Sequence, residues 1–427
     1  MTPDAVRRRQ PFADNPTVGG RGRQTRQRIV DATVEVLSQQ GYHRCSVDRI
    51  TSRAGCSRVA FYQYFSSRDD VIRHLATEVV GQIQDIVDGL AQLTPDARGW
   101  HNIRAWVTAY GDVYERYGGL FHALRAAIDT TEDVASIRAG VVARNVAHVR
   151  SKLADSALAV PYLDVVLDLL METIGWAHTT ADIMRTAEPQ AVPREQLEDS
   201  LADVVHRTLF GMNPAVNLHV STYVTPSVPL DQSLADLLRQ DPPPALADGT
   251  TTVDDLLRAG HSTLLARGYF ATRIDDIVSA AGVSHGAFYR YFSNKADFTR
   301  VLVLRAMRPL WMTLVQMPNA DKTGAPTRTE LRRWLQRFNS VRAEDAAVLG
   351  VWMDAALHDP TFSVDAAAAL DWGRRRSAQA LRRRGFDGGE ADAIVYSALL
   401  TAYGSRRADA SFTEATADVI EHGLLGR

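Results

Sequence analysis

Apolar side chains recur every three or four positions along most of the chain, which is the spacing of the buried face of an amphipathic α-helix. No segment shows the alternation of apolar and polar residues that is typical of a half-buried strand. The pattern therefore predicts an all-α fold with bundle-like packing. The predicted helical stretches are 25–40, 68–92, 103–128, 162–184 and 196–209, followed by 253–267, 295–316, 329–357, 366–384 and 389–404.

The chain also contains an internal repeat. Residues 41–70 match residues 268–297 without a gap, and 15 of the 30 positions are identical. A weaker match closes each copy, between residues 201–211 and 416–426. A repeat of this length predicts a duplication, with units at about 22–211 and 250–427.

The first copy of the repeat predicts two short helices joined by a tight turn. Ser46 is a suitable N-cap for a helix over 47–53, and Gly55 allows the left-handed conformation that ends it. Ser57 then caps a second helix over 58–64. A helix, a glycine-containing turn and a second helix form the unit that places its second helix in the major groove of DNA.

The second copy predicts the same geometry. Thr272 or Arg273 opens its first helix, Gly282 lies in the turn, and Ser284 caps the second helix. Ser66 or Ser67 in the first copy, and Ser293 or Asn294 in the second, are candidate caps of the helix that follows.

A helical wheel divides each second helix into an apolar face and a polar face. Arginine and glutamine can bridge base edges, and tyrosine hydroxyls commonly donate to phosphate oxygens. Phe61, Phe65, Phe288 and Phe292 are expected in the core. The outward residues are Arg58, Val59, Tyr62 and Gln63 in the first copy, and His285, Gly286, Tyr289 and Arg290 in the second.

The formal net charge of −2 hides a local basic patch. Residues 21–75 hold ten arginines against five acidic residues, whereas residues 251–305 hold seven basic against five acidic residues. The basic charge therefore lies where the repeat lies, as a nucleic-acid binder requires. The arginine-rich arm before the first helix either enters a minor groove or is a solvated tail; its arginines are Arg7, Arg8, Arg9, Arg21, Arg23 and Arg26.

The repeated pattern resembles the DNA-binding domain of TetR/AcrR-type repressors, and its tandem form is similar to the rarer double-TetR regulators of actinobacteria. The resemblance implies a three-helix head followed by a larger helical domain that binds a small effector and dimerises through its last two helices. It adds Tyr64, Arg68, Tyr291 and Lys295 to the expected DNA contacts. The full set of DNA-binding candidates is Ser46, Ser57, Arg58, Val59, Tyr62, Gln63, Tyr64, Arg68, Arg273, Ser284, His285, Gly286, Tyr289, Arg290, Tyr291 and Lys295.

Six segments follow from the repeat and the resemblance. They are a disordered basic arm at 1–21, a first helix-turn-helix domain at 22–70, a first effector or assembly domain at 71–211, a proline-rich linker at 212–250 with one candidate short helix at 233–239, a second helix-turn-helix domain at 251–297, and a second effector or assembly domain at 298–427. Aromatic residues at helical spacing are either core or lining of an effector pocket; the candidates are Trp106, Tyr110, Tyr114, Trp176, Trp334, Phe338, Trp352 and Tyr396.

The sequence contains none of the motifs of common enzymes, such as a glycine-rich phosphate loop, a nucleophile elbow or zinc-ligand spacing. We therefore expect no enzymatic activity, no cofactor and no structural metal. The absence of a signal peptide and of an apolar run long enough to cross a membrane predicts a cytoplasmic protein. Cys45 and Cys56 suit a reducing compartment, and Cys56 corresponds to Val283 in the repeat, which favours a small apolar role over redox sensing.

These features predict a repressor that binds double-stranded DNA and is released by a hydrophobic small-molecule effector. Because the outward residues of the two copies differ, the operator is expected to be asymmetric. The chain acts either as a monomer that mimics a dimer or as a homodimer. Two alternatives remain open: a DNA-binding assembly protein without an effector, and a dimer with one idle head per chain.

Overall fold

The structure is a computed structural model that describes residues 20–128, 132–153, 162–187, 192–213, 215–216, 251–318, 327–383, 389–405 and 408–426. Arg7, Arg8 and Arg9 of the predicted arm, most of the predicted linker and its candidate helix at 233–239 lie outside these residues. The first helix begins at Gly20, so the last two positions of the predicted arm are helical.

The first half of the chain forms eight helices within the described residues. They are α1 (Gly20–Arg44), α2 (Val47–Ala54), α3 (Arg58–Tyr64), α4 (Arg68–Asp88), α5 (Ala97–Ile128), α6 (Glu132–Ser151), α7 (Leu163–Ala187) and α8 (Arg194–Phe210). The predicted helical stretches of this half are all present, whereas α6 was not predicted.

The second half repeats this order. Its helices are α9 (Thr251–Ala271), α10 (Ile274–Ala281), α11 (His285–Tyr291), α12 (Lys295–Val315), α13 (Arg328–Ala356), α14 (Pro360–Arg383), α15 (Glu390–Gly404) and α16 (Ala410–Asp418), which continues into a π-helical turn at Val419–Leu424. The described residues contain no strand beyond an isolated bridge between Leu93 and Leu153. The all-α prediction is therefore confirmed.

Each half begins with a small three-helix head. In the first head, Ile29, Leu37, Ile50, Phe61 and Leu75 are fully buried and hold α1–α4 together. In the second head, the fully buried rings of Phe288, Phe292 and Phe298 pack on one another between α11 and α12. The four repeat phenylalanines, at 61, 65, 288 and 292, are core residues as the helical wheels predict.

A glycine bends the chain at the same point of each head. Gly41 in α1 has φ 73° and Gly268 in α9 has φ 72°, a conformation that strains any residue with a Cβ. The bend turns the segment after each glycine away from the long helix. Tyr42 and Tyr269 follow the two glycines and therefore lie against the first residues of α4 and α12, respectively.

The two halves are joined through their last two helices. Helix α7 packs along α15, and α8 packs against the π-helical turn that follows α16. The crossed pairs, α8 with α15 and α7 with α16, are also in contact. Since exchange of the halves reproduces each pair, this four-helix interface has the arrangement of a two-fold symmetric dimer within one chain.

A buried polar group lies inside this interface. Ser200 Oγ of α8 donates to Asp392 Oδ1 of α15 at 2.6 Å, and Arg207 Nη2 lies 4.0 Å from the same carboxylate. All three side chains are buried. Burial raises the pKa of the Asp392 carboxyl and lowers the pKa of the Arg207 guanidinium, since desolvation disfavours either charge.

Candidate nucleic-acid interface

The first helix-turn-helix is held by the capping residues that its sequence predicts. Ser46 Oγ accepts the backbone N–H of Arg49 at 3.4 Å, and Ser57 Oγ accepts that of Ala60 at 3.1 Å. Gly55 ends α2 in the left-handed conformation, with φ 61°. Each cap satisfies a backbone donor that would otherwise be free at a helix start. Helix α2 extends one residue beyond its predicted end, to Ala54.

The second helix-turn-helix uses a different cap for its first helix. Of the two predicted openers, Arg273 takes the N-cap position, and its backbone N–H donates to Asp276 Oδ2 at 2.9 Å. The Thr272 hydroxyl is buried and donates to the Gly268 carbonyl at 2.7 Å instead. Ser284 Oγ caps α11 by accepting the Ala287 N–H at 3.2 Å.

Equivalent side chains also cap the next helix of each head. Ser67 Oγ accepts the N–H of Asp70 at 3.1 Å, and Asn294 Oδ1 accepts the N–H of Asp297 at 2.9 Å. Of the two alternatives in each copy, the second residue is therefore the cap. The connection between α3 and α4, or α11 and α12, is fixed by side chains in both heads.

Helices α3 and α11, the second helices of the two helix-turn-helix units, are called the recognition helices below. The outer face of each is open to solvent. Val59 is 72% exposed, Tyr62 52% and Tyr289 56%, which is unusual for large apolar or aromatic side chains. Tyr64 and Tyr291 are half-buried on the sides of their helices. The remaining predicted contacts on these helices are also exposed: Arg58, Gln63, His285, Gly286 and Arg290.

Each recognition helix begins with an exposed ion pair that sequence analysis missed. Arg58 Nε lies 2.8 Å from Asp48 Oδ1, and His285 Nε2 lies 2.8 Å from Asp275 Oδ1. Asp48 and Asp275 occupy equivalent positions of the two repeat copies. This shared aspartate is the feature of the sequence that could have indicated the ion pairs. The second pair carries opposite charges only when His285 is protonated.

Lys295 turns inward in this conformation, although sequence analysis predicts that it contacts DNA. Its Nζ donates to the backbone carbonyls of Tyr269 and Thr272, at 2.7 and 2.8 Å, and lies 4.2 Å from the Tyr269 ring centre. Burial lowers the pKa of this ammonium group. Lys295 thus holds the start of α12 against the end of α9 and the residue that follows it. Its contact with DNA stays a prediction.

Arg68 has the equivalent role in the first head. Its Nη2 donates to the Tyr42 hydroxyl at 3.1 Å and its Nη1 to the Cys45 carbonyl at 3.3 Å, while the guanidinium lies 4.5 Å from the Tyr42 ring centre. The side chain is 28% exposed. Part of the charge therefore remains accessible, and a phosphate contact at Arg68 also stays a prediction.

The described part of the arginine-rich arm belongs to α1. Arg21 and Arg23 are exposed on its first turns. Arg26 is half-buried: its Nη2 lies 3.0 Å from His74 Nε2, and its guanidinium lies 5.5 Å from the Phe65 ring centre. Burial, followed by the charge of Arg26, lowers the pKa of His74. Arg26 thus packs within the head, and the two exposed arginines add positive charge beside it.

The two thiols are poor candidates for a redox switch. Both are free, and Cys45 is buried in the core of the first head. Burial raises the pKa of the Cys45 thiol to about 11 and also raises that of the half-buried Cys56. Because the thiolate is the reactive form, both groups are held in their unreactive state near neutral pH.

The helical domain that follows the first head contains a small apolar cavity. Its volume is about 10 Å³, and Trp106 of the predicted pocket residues lines it. Leu90 and Leu93, just after α4, line the same cavity, so it adjoins the helix that carries the first head. The other lining residues are Ile103, Val149, Leu167, Leu170, Met171, Val205 and Leu209.

A buried aromatic cluster accounts for two further pocket candidates. The Tyr114 ring stacks on His178 with 5.2 Å between ring centres, and the Tyr110 ring lies 6.2 Å from that histidine. The Tyr114 hydroxyl is within hydrogen-bond distance of His122 Nε2 and Thr179 Oγ1. Burial lowers the pKa of His178 to about 4. Trp176 is half-buried against the core.

The pocket candidates of the second half are packed in its core. Trp334, Phe338, Trp352 and Tyr396 are each at most 4% exposed. The Trp334 indole N–H donates to the Thr313 carbonyl at 2.9 Å, and its ring lies 5.5 Å from that of Phe338. In this conformation these four side chains fill space, and a ligand role for them stays a prediction.

Within the described ranges, no group of three or more His, Cys, Asp or Glu side chains is arranged to hold a metal ion. Nor does any described helix have the length and hydropathy needed to span a bilayer.

Comparison with known proteins places both heads in one family. The sequence profile described as "Bacterial regulatory proteins, tetR family" matches residues 29–75 and again residues 256–301. These two segments include α2, α3, α10 and α11 completely, together with most of α1 and α9 and the first two turns of α4 and α12. The helix-turn-helix units built above are therefore the parts of the chain that the profile recognises.

Individual relatives match mainly the same region. Transcriptional regulator AcuR of Cereibacter sphaeroides is 40% identical over 65 residues, which are 15% of this chain and 30% of the relative. The fatty acid metabolism regulator protein of Bacillus subtilis is 39% identical over 54 residues, 13% of this chain and 28% of the relative. The chain thus covers less than a third of either. HTH-type transcriptional regulator EthR of Mycobacterium tuberculosis is 24% identical over 209 residues, 45% of this chain and 94% of the relative.

Proposed function

We propose that the chain is a sequence-specific transcription regulator that binds double-stranded DNA, since both of its helix-turn-helix domains match the TetR family of bacterial regulatory proteins. One observation carries this proposal. In both heads a seven-residue helix presents exposed polar and aromatic side chains on one face and anchors a buried phenylalanine on the other, as a helix in the major groove requires.

The two heads are expected to read different half-sites. Arg58 and Gln63 suit guanine and adenine edges, whereas the second head presents His285 and Arg290. The four-helix interface supports one chain that binds as an internal dimer. Its operator then consists of two unlike half-sites on one face of the duplex, about one helical turn apart or a multiple of it.

The chain is further proposed to be a repressor that an apolar small molecule releases from DNA. The cavity beside Leu90, Leu93 and Trp106 is lined only by apolar and aromatic residues, which supports an apolar ligand. A drug-sized ligand needs roughly 300 Å³ or more, whereas this cavity has about 10 Å³. Binding must therefore move the surrounding helices, and α4 connects that movement to the first head. Such a ligand shifts the equilibrium because it favours the expanded conformation.

The test begins with selection of duplexes from a fragmented genomic library, followed by footprinting of the selected site. Two double variants, Tyr62→Ala with Gln63→Ala and Tyr289→Ala with Arg290→Ala, are then compared on that duplex. Each loses about 2–4 kcal/mol of binding if both heads read bases, since one good base contact contributes about 1–3 kcal/mol. Met312→Ala with Val364→Ala, two exposed residues of the second effector domain, is the matched control.

The outcomes separate the alternatives. Failure of the wild-type chain to select any duplex contradicts the proposal outright. Full affinity of the second double variant indicates an idle second head, an alternative that the lower basic excess of residues 251–305 favours. A perfectly palindromic footprint contradicts the one-chain model of an asymmetric operator. A thermal-shift screen with apolar compounds that finds no ligand supports an assembly protein without an effector.

A further inference from the structure

The last residues of α1, from its bend at Gly41 to Arg44, contact the other half of the chain at two points. The Arg44 guanidinium lies over the Phe270 ring of the second head, 4.6 Å from its centre. Gly41 lies against His358, which is in the turn between α13 and α14; a Cβ on Gly41 would be only 2.3 Å from His358 Cδ2. The first head therefore touches both the second head and the second effector domain.

The junction between α13 and α14 also supports the second head. Phe362, two residues into α14, packs edge-on against Tyr269 with 4.9 Å between ring centres, and it is fully buried. Tyr269 and Phe270 are adjacent residues at the end of α9, after its bend at Gly268. One short stretch, His358–Phe362, thus lies between the two heads and contacts each of them.

This contact between the heads is one-sided. In the repeat, Arg44 corresponds to Ala271 and Phe270 corresponds to His43. Exchange of the two halves would place an alanine where the cation stands, so the reciprocal cation–π contact cannot form. The four-helix interface shows two-fold pairing, whereas the head-to-head contact is specific to this order of the halves.

We propose that Arg44, Phe270 and His358 are positioning residues that fix the distance and orientation between the two heads, and thereby determine which spacing of half-sites the protein accepts. The proposal rests on the DNA-binding function proposed above. The first head packs on its own half through α5, whose side chains join the core of that head. The contacts of Arg44 and Gly41 add a direct connection to the second half, which fixes one head relative to the other. One added base pair moves a half-site by about 3.4 Å and turns it by about 35°, which a rigid pair of heads cannot follow.

The first measurement uses the full chain without DNA. Cys56 is replaced by Val, the residue at the equivalent position of the second head, and spin labels are placed at exposed Ser52 and Ser279, which are equivalent positions of α2 and α10. Electron–electron distance measurements are expected to give one narrow distribution for this background. Arg44→Ala and Phe270→Leu are expected to broaden it at least twofold.

The second measurement uses the footprinted duplex with its half-site spacing changed by one or two base pairs in either direction. The unchanged chain is expected to lose at least tenfold in affinity for each base pair. Arg44→Ala is expected to bind the native spacing more weakly and to vary less than threefold across the panel. Phe270→Leu, which keeps the charge of Arg44, is expected to flatten the profile in the same way.

Arg116→Ala is the matched control. It removes a cation–π contact with Tyr117 at 5.1 Å and an exposed ion pair with Asp31 at 4.0 Å. Both contacts lie within the first half and do not bridge the heads. Distance distributions and spacing profiles of Arg44→Ala and Phe270→Leu that coincide with those of this control overturn the proposal. A wild-type chain that binds no duplex overturns the proposed function and its spacing consequence, while the distances still decide whether Arg44 and Phe270 position the heads.

Discussion

Thr208 and Gly423 occupy equivalent positions in the two copies of the closing repeat, and they face each other across the four-helix interface. A Cβ on Gly423 would lie 2.3 Å from Thr208 Oγ1 and 2.9 Å from the Val204 carbonyl oxygen. Two copies of the first half could not approach in this way, because a threonine would stand at both positions. The interface therefore fits the first half against the second better than the first half against itself.

Gly423→Ala is expected to lower the free energy of unfolding by about 1–3 kcal/mol, the usual cost of overpacking a core. Thr208→Ala in the same chain is expected to restore part of this loss, because it removes the nearest atom but leaves the Val204 carbonyl. Chemical denaturation measures both. Gly350→Ala is the control, since a Cβ there meets no atom within 4 Å; equal effects of the two glycine substitutions would contradict the close packing.

The buried pair across the interface gives a second prediction. Asp392→Ala removes one of the two carboxylates that offset the buried charge of Arg207, and the other, Asp203, remains. The expected loss of stability is therefore about 3 kcal/mol, the low end of the cost of breaking a buried ion pair. Arg207→Met combined with Asp392→Leu replaces both charges by apolar groups and is expected to recover most of that loss. Thermal and chemical denaturation of the full chain provide the comparison. A double variant no more stable than Asp392→Ala would show that the pair is not coupled in this way.

The exposed ion pairs at the starts of α3 and α11 are expected to compete with DNA for Arg58 and His285. Asp48→Asn is expected to raise affinity for the operator about threefold, because it frees Arg58 from an exposed pair of about 0.6 kcal/mol and removes a negative charge near the phosphates. Asp275→Asn, the equivalent change in the second head, is expected to act in the same direction, because it also removes a negative charge from the side chain that pairs with His285 at the start of α11. Titrations with labelled duplex at fixed salt measure both, and a loss of affinity in Asp48→Asn would contradict the argument. Asp85→Asn on α4, away from the recognition helices, is the control.

The buried His178 of α7 is expected to make the stability of the first half sensitive to acid. Its pKa is about 4 in the folded chain because burial disfavours the imidazolium, against about 6.5 when unfolded. The unfolded chain therefore binds the proton first, and stability is lost as the pH falls from about 6.5 to 4, by up to about 3 kcal/mol. His178→Phe keeps a ring against Tyr114 and is expected to remove this loss. Urea unfolding at several pH values checks it, with exposed His101→Gln as control; parallel curves for wild type and His178→Phe would contradict it.

The helix-turn-helix units could be predicted from the sequence because their signals are local. Ser57 and Ser284 cap the next helix directly, and Gly55 and Gly282 end the previous one, so each decision involves neighbours in the chain. Helix α6 was missed because its apolar residues do not line one face. Its place is set by packing against α7, which no local pattern encodes.

The parts that sequence analysis missed depend on contacts between distant residues. Asp392 and Ser200 are separated by 192 positions, and no spacing rule connects them. The inward position of Lys295 is another case. The residue type suggests a phosphate contact, yet in this structure its ammonium group donates to the backbone carbonyls of Tyr269 and Thr272. The pocket candidates illustrate the same limit, since aromatic residues at helical spacing fill a core as readily as they line a cavity.

The four-helix interface has a consequence for how occupancy depends on dose. Two heads that belong to one chain are assembled at any concentration, whereas ordinary partners must first meet. In the one-chain model proposed above, occupancy of an operator rises linearly with the number of chains at low dose and then saturates, without the threshold that a dimerisation equilibrium imposes. Each recognition face is also encoded once, so a substitution in one head changes one half-site alone, and the two halves of an operator can diverge independently.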